Sequence, residues 1–149
     1  MIRYLMLALL ATSLWACGNN EAEELKALEE NVMAVHDEVM PKMGTISALN
    51  DSLKQLYTAH KLDSVAIDSV MLATIDGHIQ ALSQADEAMM QWMRNYEKPG
   101  EDMPAEEKRT YLEAEQEKIN EVRDEMLTAI AEAEAFLAKE KGSDDETME

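Results

Sequence analysis

Methionine and histidine side chains recur at helical spacing in two stretches of the sequence. NVMAVHDEVMPKMGTI holds a histidine and three methionines spaced three, four and three residues apart, and DEAMMQWM adds an aspartate and three further methionines. These candidate ligands are Met33, His36, Met40, Met43, Asp86, Met89, Met90 and Met93. Spacings of three and four place side chains on one face of a helix. Because thioether and imidazole groups suit reduced copper, the pattern is compatible with a soft-metal site.

Packing of a helical core is the interpretation that we favour for the same residues. Methionine fills irregular gaps between helices. A His36–Asp86 pair would avoid leaving a buried polar group unsatisfied, which costs about 1–3 kcal/mol. Binding of reduced copper is the alternative. A haem held by a methionine–histidine pair is disfavoured, since the sequence contains no CxxCH motif.

The sequence contains no recognisable catalytic constellation. Its serines and threonines are scattered, and no histidine is placed to act as the base for a nucleophile. Its many carboxylates are those expected on solvated helix faces. We therefore expect a protein that is not an enzyme.

The first 17 residues have the pattern of an export signal. Arg3 precedes an apolar run of about 13 residues, too short for the roughly 20 that span a bilayer. The run leads to Cys17, the only cysteine. LWAC is similar to the lipobox of bacterial lipoproteins: Leu14 and Ala16 match that motif, whereas Trp15 departs from it. We expect cleavage after residue 16 and a lipid anchor on Cys17. Each acyl methylene buried in the bilayer would contribute about 0.8 kcal/mol to membrane binding.

The charge of the chain restricts its partners. The formal net charge is −18, and loss of residues 1–16 would leave 12 basic and 31 acidic side chains because it removes only Arg3 among the charged residues. Such a surface repels nucleic acid and suits a basic protein partner or a cell-wall component. The anchor, and not the body, should therefore provide the contact with the membrane.

Heptad rows of apolar residues run through most of the remaining chain. They predict an all-α fold, an elongated antiparallel three-helix bundle (up-down-up) with coiled-coil-like heptads and helices near 21–60, 64–98 and 104–140. The principal rows are Leu25, Val32, Val39, Ile46 and Leu53 in the first helix, Ile75, Leu82, Met89 and Tyr96 in the second, and Leu112, Ile119, Met126 and Ala133 in the third. Asp86 and Glu115 occupy apolar positions of the secondary rows.

Local signals divide the chain into a signal peptide (1–16), a lipid-anchored bundle (17–141) and a disordered acidic tail (142–149). Asn20 is the expected cap of the first helix, and Asp63 or Ser64 that of the second. Pro104 should open the third helix. Pro41 should bend the first helix without ending it, since the heptad continues past it.

The turns also predict how the helices align. Reversals near residues 60 and 101 would place His36 opposite Asp86, and Asp86 beside Glu117 with Glu115 within a turn. Met43 would then lie near His78. This alignment gathers a histidine, two carboxylates and several thioethers into one layer. Trp92 and Tyr96 indicate either the bulky end of the core or a small aromatic surface patch.

HDEVMPKMGTI and AMMQWMRNY, behind the lipobox cysteine, resemble a set of short acidic lipoproteins of Bacteroidetes that carry the automatic label "viral A-type inclusion protein". The resemblance covers most of the chain after Cys17 and implies an envelope lipoprotein, but no particular activity. We therefore expect a non-enzymatic binding or structural module that is lipid-anchored in the bacterial cell envelope, at the outer membrane. Whether it faces the periplasm or the cell surface stays open.

Overall fold

The computed structural model describes residues 15–62 and 68–146, and all regular secondary structure within these ranges is helical. The helices are α1 at Trp15–Val39, α2 at Met43–Leu62, α3 at Ser69–Asn95 and α4 at Ala105–Glu146. A 3₁₀ turn at Met40–Lys42 joins α1 to α2, and we call these three elements together the first rod. The first rod, α3 and α4 pack as an antiparallel up-down-up bundle, which confirms the predicted fold class.

The core consists largely of the predicted heptad rows. Every residue of the three principal rows is buried except Tyr96, which is half-buried. Ala85, Trp92, Val122, Ala129 and Ile130 complete the buried apolar core. Fully burying one large apolar side chain contributes about 1.5–3 kcal/mol, so these rows account for most of the stabilisation that packing provides.

Pro41 interrupts the first rod without ending it. Proline has no N–H, and its ring crowds the carbonyl four residues earlier, that of Asp37. The backbone tightens into the 3₁₀ turn, where the N–H of Met43 donates to the carbonyl of Met40, and the α-helix then resumes. Val39 and Ile46, on either side of the turn, both remain in the core. The rod therefore continues past the proline, as predicted.

The two halves of the first rod have different nearest neighbours. The backbone of α1 runs close to that of α4, whereas the backbone of α2 runs close to that of α3. The rod thus crosses from one neighbour to the other, and the 3₁₀ turn lies at the crossing. Beside α1, the backbone of α3 stays further away, so large side chains must fill the space between these two helices.

Two helices begin at positions that differ from the prediction. Helix α1 is already formed at Trp15, the first described residue, so Asn20 lies inside it and does not cap it; the one glycine before Asn20 costs only about 1 kcal/mol in a helix and does not stop it. Helix α3 begins after Asp68, whose carboxylate accepts the N–H groups of Val70 at 2.9 Å and Met71 at 3.0 Å. The predicted cap, Asp63 or Ser64, lies outside the described residues, and the helix starts later than predicted because the Asp-Ser signal occurs again at 68–69.

Helix α4 begins within one residue of its predicted start and ends later than predicted. Pro104 caps it, and its carbonyl accepts the N–H of Lys108 at 2.9 Å. The helix continues to Glu146, so the backbone of residues 142–146, part of the predicted disordered tail, is helical. Residues 147–149 lie outside the described residues.

Candidate functional site

The first rod and α3 are aligned differently from the prediction. His36 lies against Trp92, with ring centroids 5.6 Å apart, and not opposite Asp86. Glu29 forms an ion pair with Lys98 at the same end of the bundle. Both contacts show that α3 is displaced along the first rod by about two helical turns from the predicted alignment. The reason is that α3 starts only at residue 69, so the chain reverses later than predicted.

The predicted alignment of α3 with α4 is also wrong, by a similar amount. Glu115 lines a groove together with Trp92 and Asn95, whereas the α4 residues level with Asp86 are near Asp124. Asp86 and Glu115 therefore lie in different layers. The ring of His78 contacts Phe136, with centroids 4.8 Å apart, where the predicted alignment has Met43. Within the described ranges, no three His, Cys, Asp or Glu side chains are grouped as a metal site would require.

The predicted methionines lie at different depths. Met89 is fully buried, and Met33, Met43 and Met93 are half-buried. Met40 and Met90 are 36% and 38% exposed, which places both among the most exposed large apolar side chains of the described residues. The stripe thus runs from the core to the surface.

Helical spacing nevertheless places most of these residues on the facing edges of the first rod and α3. On α3, the edge towards α4 is marked by Gln84, Gln91 and Asn95, which line grooves against α4. Helical spacing puts Asp86, Met90 and Met93 on the opposite edge. On the first rod, Glu29 pairs across to Lys98, and the spacing from Glu29 carries Met33, His36, Met40 and Met43 along that same edge. We call these seven residues, from Met33 to Met93 on the two facing edges, the Met seam.

A chain of aromatic rings crosses the bundle at one end of the Met seam. His36 contacts Trp92, Trp92 stacks on Tyr96 with centroids 4.9 Å apart, and Tyr96 is 6.3 Å from Tyr111. His36 lies in α1, Trp92 in α3 and Tyr111 in α4, and Tyr96 is the C-cap residue of α3. Trp92 is only 6% exposed, so it forms the bulky end of the core and not a surface patch. These rings provide the volume that bridges the distance between α1 and α3.

Two polar groups of this aromatic chain are buried without a hydrogen-bond partner among the described residues. They are the Nε1 of Trp92 and the hydroxyl oxygen of Tyr96. The Tyr111 hydroxyl, in contrast, accepts the N–H of Glu97 at 2.9 Å. A buried polar group left without a partner costs about 1–3 kcal/mol, which is why most such groups find one. Both atoms are enclosed by protein, so a ligand could bond to either only after the surrounding side chains move.

Burial also shifts the titration of the two tyrosines. Desolvation raises the pKa of Tyr96 above 10.0, and the nearby Glu29, Tyr111 and Glu115 raise it further. Desolvation likewise raises the pKa of Tyr111, although the hydrogen bond with the N–H of Glu97 opposes this. Both phenols therefore stay neutral at physiological pH.

Glu115 is the one buried polar or charged residue among those whose burial the structure describes. It is 4% exposed and accepts a hydrogen bond from the Nζ of Lys118 at 2.7 Å. That bond and the negative charge of Glu115 raise the pKa of the Lys118 ammonium. Lys118 itself is largely exposed. The pair therefore joins a carboxylate inside the bundle to a cation at its surface.

The groove around Glu115 opens between α3 and α4 and has a volume of about 400 Å³. Its lining comprises Ala88, Gln91, Trp92, Asn95, Glu115, Lys118, Glu121, Val122 and Glu125. Three carboxylates and one ammonium make its charge negative, so we call it the acidic groove. Trp92 thus borders the acidic groove while its ring also contacts His36 of the Met seam.

A second groove continues along the same two helices. It is lined by Ala81, Gln84, Asp124, Glu125, Thr128, Ala129 and Glu132. It contains no aromatic residue, and every carboxylate that lines it is exposed. It therefore serves as a natural comparison for the acidic groove.

The sequence pointed to the methionines but not to the acidic groove. Glu115 in an apolar row was a usable signal, and so was the i, i+4 spacing of Trp92 and Tyr96. Glu115 and Trp92 come together only because of the way α3 and α4 are aligned. The side chain of Cys17 and all of residues 1–14 lie outside the described part of the chain, so the lipid anchor stays a prediction. None of the helices among the described residues has the length and apolarity to cross a bilayer.

The chain matches no family model, and comparison with curated proteins and with solved structures gives no match either. Any functional conclusion therefore depends on the signals in the sequence and on the chemistry of the Met seam, the aromatic chain and the acidic groove.

Proposed function

We propose that this protein is a non-enzymatic, lipid-anchored module of the bacterial cell envelope that acts by binding a protein partner. The observation that carries the binding role is the acidic groove, which is lined by the buried carboxylate residue Glu115 and by Trp92, whose indole N–H is buried without a partner among the described residues. Stability of the fold alone would favour an apolar residue at position 115.

Features of the sequence support the envelope part of the proposal. The apolar start, the lipobox-like LWAC and the single cysteine favour export and lipidation at Cys17. The resemblance to short acidic Bacteroidetes lipoproteins supports the same location, at the outer membrane. The anchor would leave the bundle free to present its sides to other proteins.

Mass spectrometry and fractionation test the envelope role. The protein extracted from membranes should begin at Cys17 and carry lipid on that residue. Cys17→Ala should leave the chain unprocessed and without lipid. Recovery of an unmodified chain with another N-terminus from the soluble fraction would contradict the proposal.

Affinity capture tests the binding role. The purified protein should retain a specific basic protein from envelope extracts at physiological salt. A charge-matched acidic helical protein is the control for non-specific attraction. Capture of the same proteins by both baits, or a reaction turned over by the protein and lost with one residue, would contradict a specific binding role.

Binding of reduced copper at the Met seam is a second candidate function. It is favoured by the placement of Met33, His36 and Met40 on one edge with Met90 and Met93 on the facing edge, where Met40 and Met90 are accessible. Thioether sulfur binds reduced copper without losing a proton, and a neutral imidazole can add a nitrogen ligand.

Titration with reduced copper decides between this candidate and simple packing. Wild type should bind the metal tightly, His36→Ala and Met40→Leu should bind it weakly, and Met103→Leu, outside the seam, should behave as wild type. If wild type binds no copper, or all the variants bind it equally, the methionines of the seam only fill space.

A further inference from the structure

We propose that the acidic groove receives a lysine or arginine side chain from a basic segment of the partner protein. This inference rests on the binding role proposed above and specifies where and how the partner would bind. The groove lies between α3 and α4, is bordered by Trp92 and Glu115, and is large enough for one extended side chain.

Lys118 shows what kind of group the groove holds. Its ammonium already lies 2.7 Å from the buried carboxylate of Glu115, although the rest of the side chain is largely exposed. A cation that enters from solvent would meet the same carboxylate and, at the rim, Glu121 and Glu125. Lys118 is thus an internal occupant with which the partner's cation competes.

Trp92 supplies an independent reason to expect a polypeptide. It is 6% exposed, it lines the groove, and its Nε1–H has no acceptor among the described residues. A free cation cannot accept this hydrogen bond. A peptide carbonyl oxygen can accept it, once the Trp92 ring or the side chains around it move, since Nε1 is itself buried. The donor and the carboxylates together therefore match a lysine or arginine within a chain.

Charge selects a basic partner over a second copy of this protein. With a formal net charge of −18, two copies repel each other. The acidic rim of the groove would repel the carboxylates that dominate the surface of another copy. A segment rich in lysine or arginine is drawn to the same rim, which also increases its rate of encounter.

The test is titration of the purified protein with end-blocked tri-lysine and tri-arginine peptides, with tri-glutamate as the negative control. Glu115→Gln should weaken binding of both basic peptides by about tenfold or more, since a hydrogen bond with a charged group is lost. Lys118→Met should strengthen binding several-fold, because the internal competitor and its repulsion are removed. Tri-glutamate should not bind.

A matched variant separates the groove from the general acidity of the surface. Glu132→Gln removes the same charge from the second groove of the same two helices, and we expect it to change affinity by less than about twofold. Equal losses for Glu115→Gln and Glu132→Gln would overturn the proposal. So would unchanged or weaker binding in Lys118→Met.

Further readouts keep the test decisive if Glu115→Gln folds poorly. Glu121→Gln, at the exposed rim of the acidic groove, should also weaken binding of the basic peptides more than Glu132→Gln does. In the ¹⁵N spectrum, the peptides should shift the indole N–H signal of Trp92, which Trp92→Phe assigns. An unmoved signal during saturable binding would place the peptides elsewhere and contradict the proposal.

Affinity capture with the variants separates the two proposals. If wild type and Glu115→Gln retain the same specific partner equally well, the binding role stands and the acidic groove is not its site. If wild type retains no specific partner, the binding role itself fails.

Discussion

Glu115 differs from the other polar residue of the heptad rows, Asp86, although the sequence presents the two alike. Glu115 is 4% exposed and pairs with Lys118, whereas Asp86 is half-buried within the Met seam. A buried ion pair seldom adds stability over a well-packed apolar side chain. The position of Glu115 therefore points to a role in binding and not in folding.

Replacement of Glu115 by leucine should stabilise the protein. The apolar row would be completed and no carboxylate would be buried, so we expect the free energy of unfolding to rise by about 1 kcal/mol or more. Urea denaturation at neutral pH measures the change. Glu117→Leu, at an exposed position of the same helix, is the control and should alter stability by less than about 0.5 kcal/mol. A loss of stability in Glu115→Leu would mean that the carboxylate supports the fold.

The aromatic chain should make the protein sensitive to alkali. The pKa values of Tyr96 and Tyr111 are raised from 10.0 and that of Lys118 from 10.5. For a group whose pKa is raised by folding, the associated stability is complete below the unfolded pKa and is lost as the pH rises through the folded one. We therefore expect the urea midpoint to fall as the pH rises above about 10, and to fall less in Tyr96→Phe. An equal fall in Tyr96→Phe would exclude Tyr96 as a source of this effect.

At the scale of the helices, Pro41 and Gly44 stand close together where the first rod changes its neighbour. Gly44 has no left-handed backbone conformation, and a Cβ added there would meet nothing within 4 Å. The same holds for Gly77 in the middle of α3. Neither glycine is needed for space or for backbone conformation, so Pro41 alone sets the 3₁₀ turn.

Gly44→Ala and Gly77→Ala should each stabilise the protein by about 0.5–1 kcal/mol, because alanine loses less backbone entropy in a helix. Thermal and urea denaturation measure both variants, and the double variant should show the sum. A gain at Gly77 with a loss at Gly44 would show that the 3₁₀ turn depends on the glycine as well as on the proline.

The heptad rows could be predicted from the sequence because burial along a helix follows a fixed period. The alignment of the helices could not be predicted in this way, because the helix-capping signal Asp-Ser occurs twice. The stretch LDSVAIDSV offers two Asp-Ser caps five residues apart, and the structure uses Asp68. That choice displaces α3 along its neighbours. Trp92, and not Asp86, therefore lies beside His36. The local sequence around these residues does not indicate this displacement.

Over the whole molecule, acidic side chains outnumber basic ones by more than two to one. Ion pairs such as Arg109–Glu24, between α4 and α1, offset only part of the repulsion. Surface pairs of this kind contribute about 0–1 kcal/mol. The fold is thus held by its apolar rows against a net electrostatic repulsion.

Added salt should therefore stabilise the protein. The Debye length is about 10 Å in 0.1 M salt and about 3 Å in 1 M salt, so repulsion between exposed carboxylates is progressively screened. We expect the melting temperature to rise when sodium chloride is increased from 0.01 M to 0.5 M. Equal concentrations of an uncharged solute such as glycerol provide the control for non-electrostatic effects. A lower melting temperature in salt would mean that the ion pairs outweigh the repulsion.

The uninterrupted α-helix between Cys17 and His36 limits how far the acidic groove can lie from the membrane. At 1.5 Å per residue these positions are about 29 Å apart along α1. If lipid holds Cys17 at the bilayer and the rod stands upright, Trp92 and its groove, level with His36, lie no more than about 30 Å above the membrane surface. The far tip, near Leu62, would then be about 70 Å away. A partner must therefore place its basic segment within about 30 Å of the membrane surface. A basic segment held further from the bilayer would not reach the acidic groove, even if its charge matched.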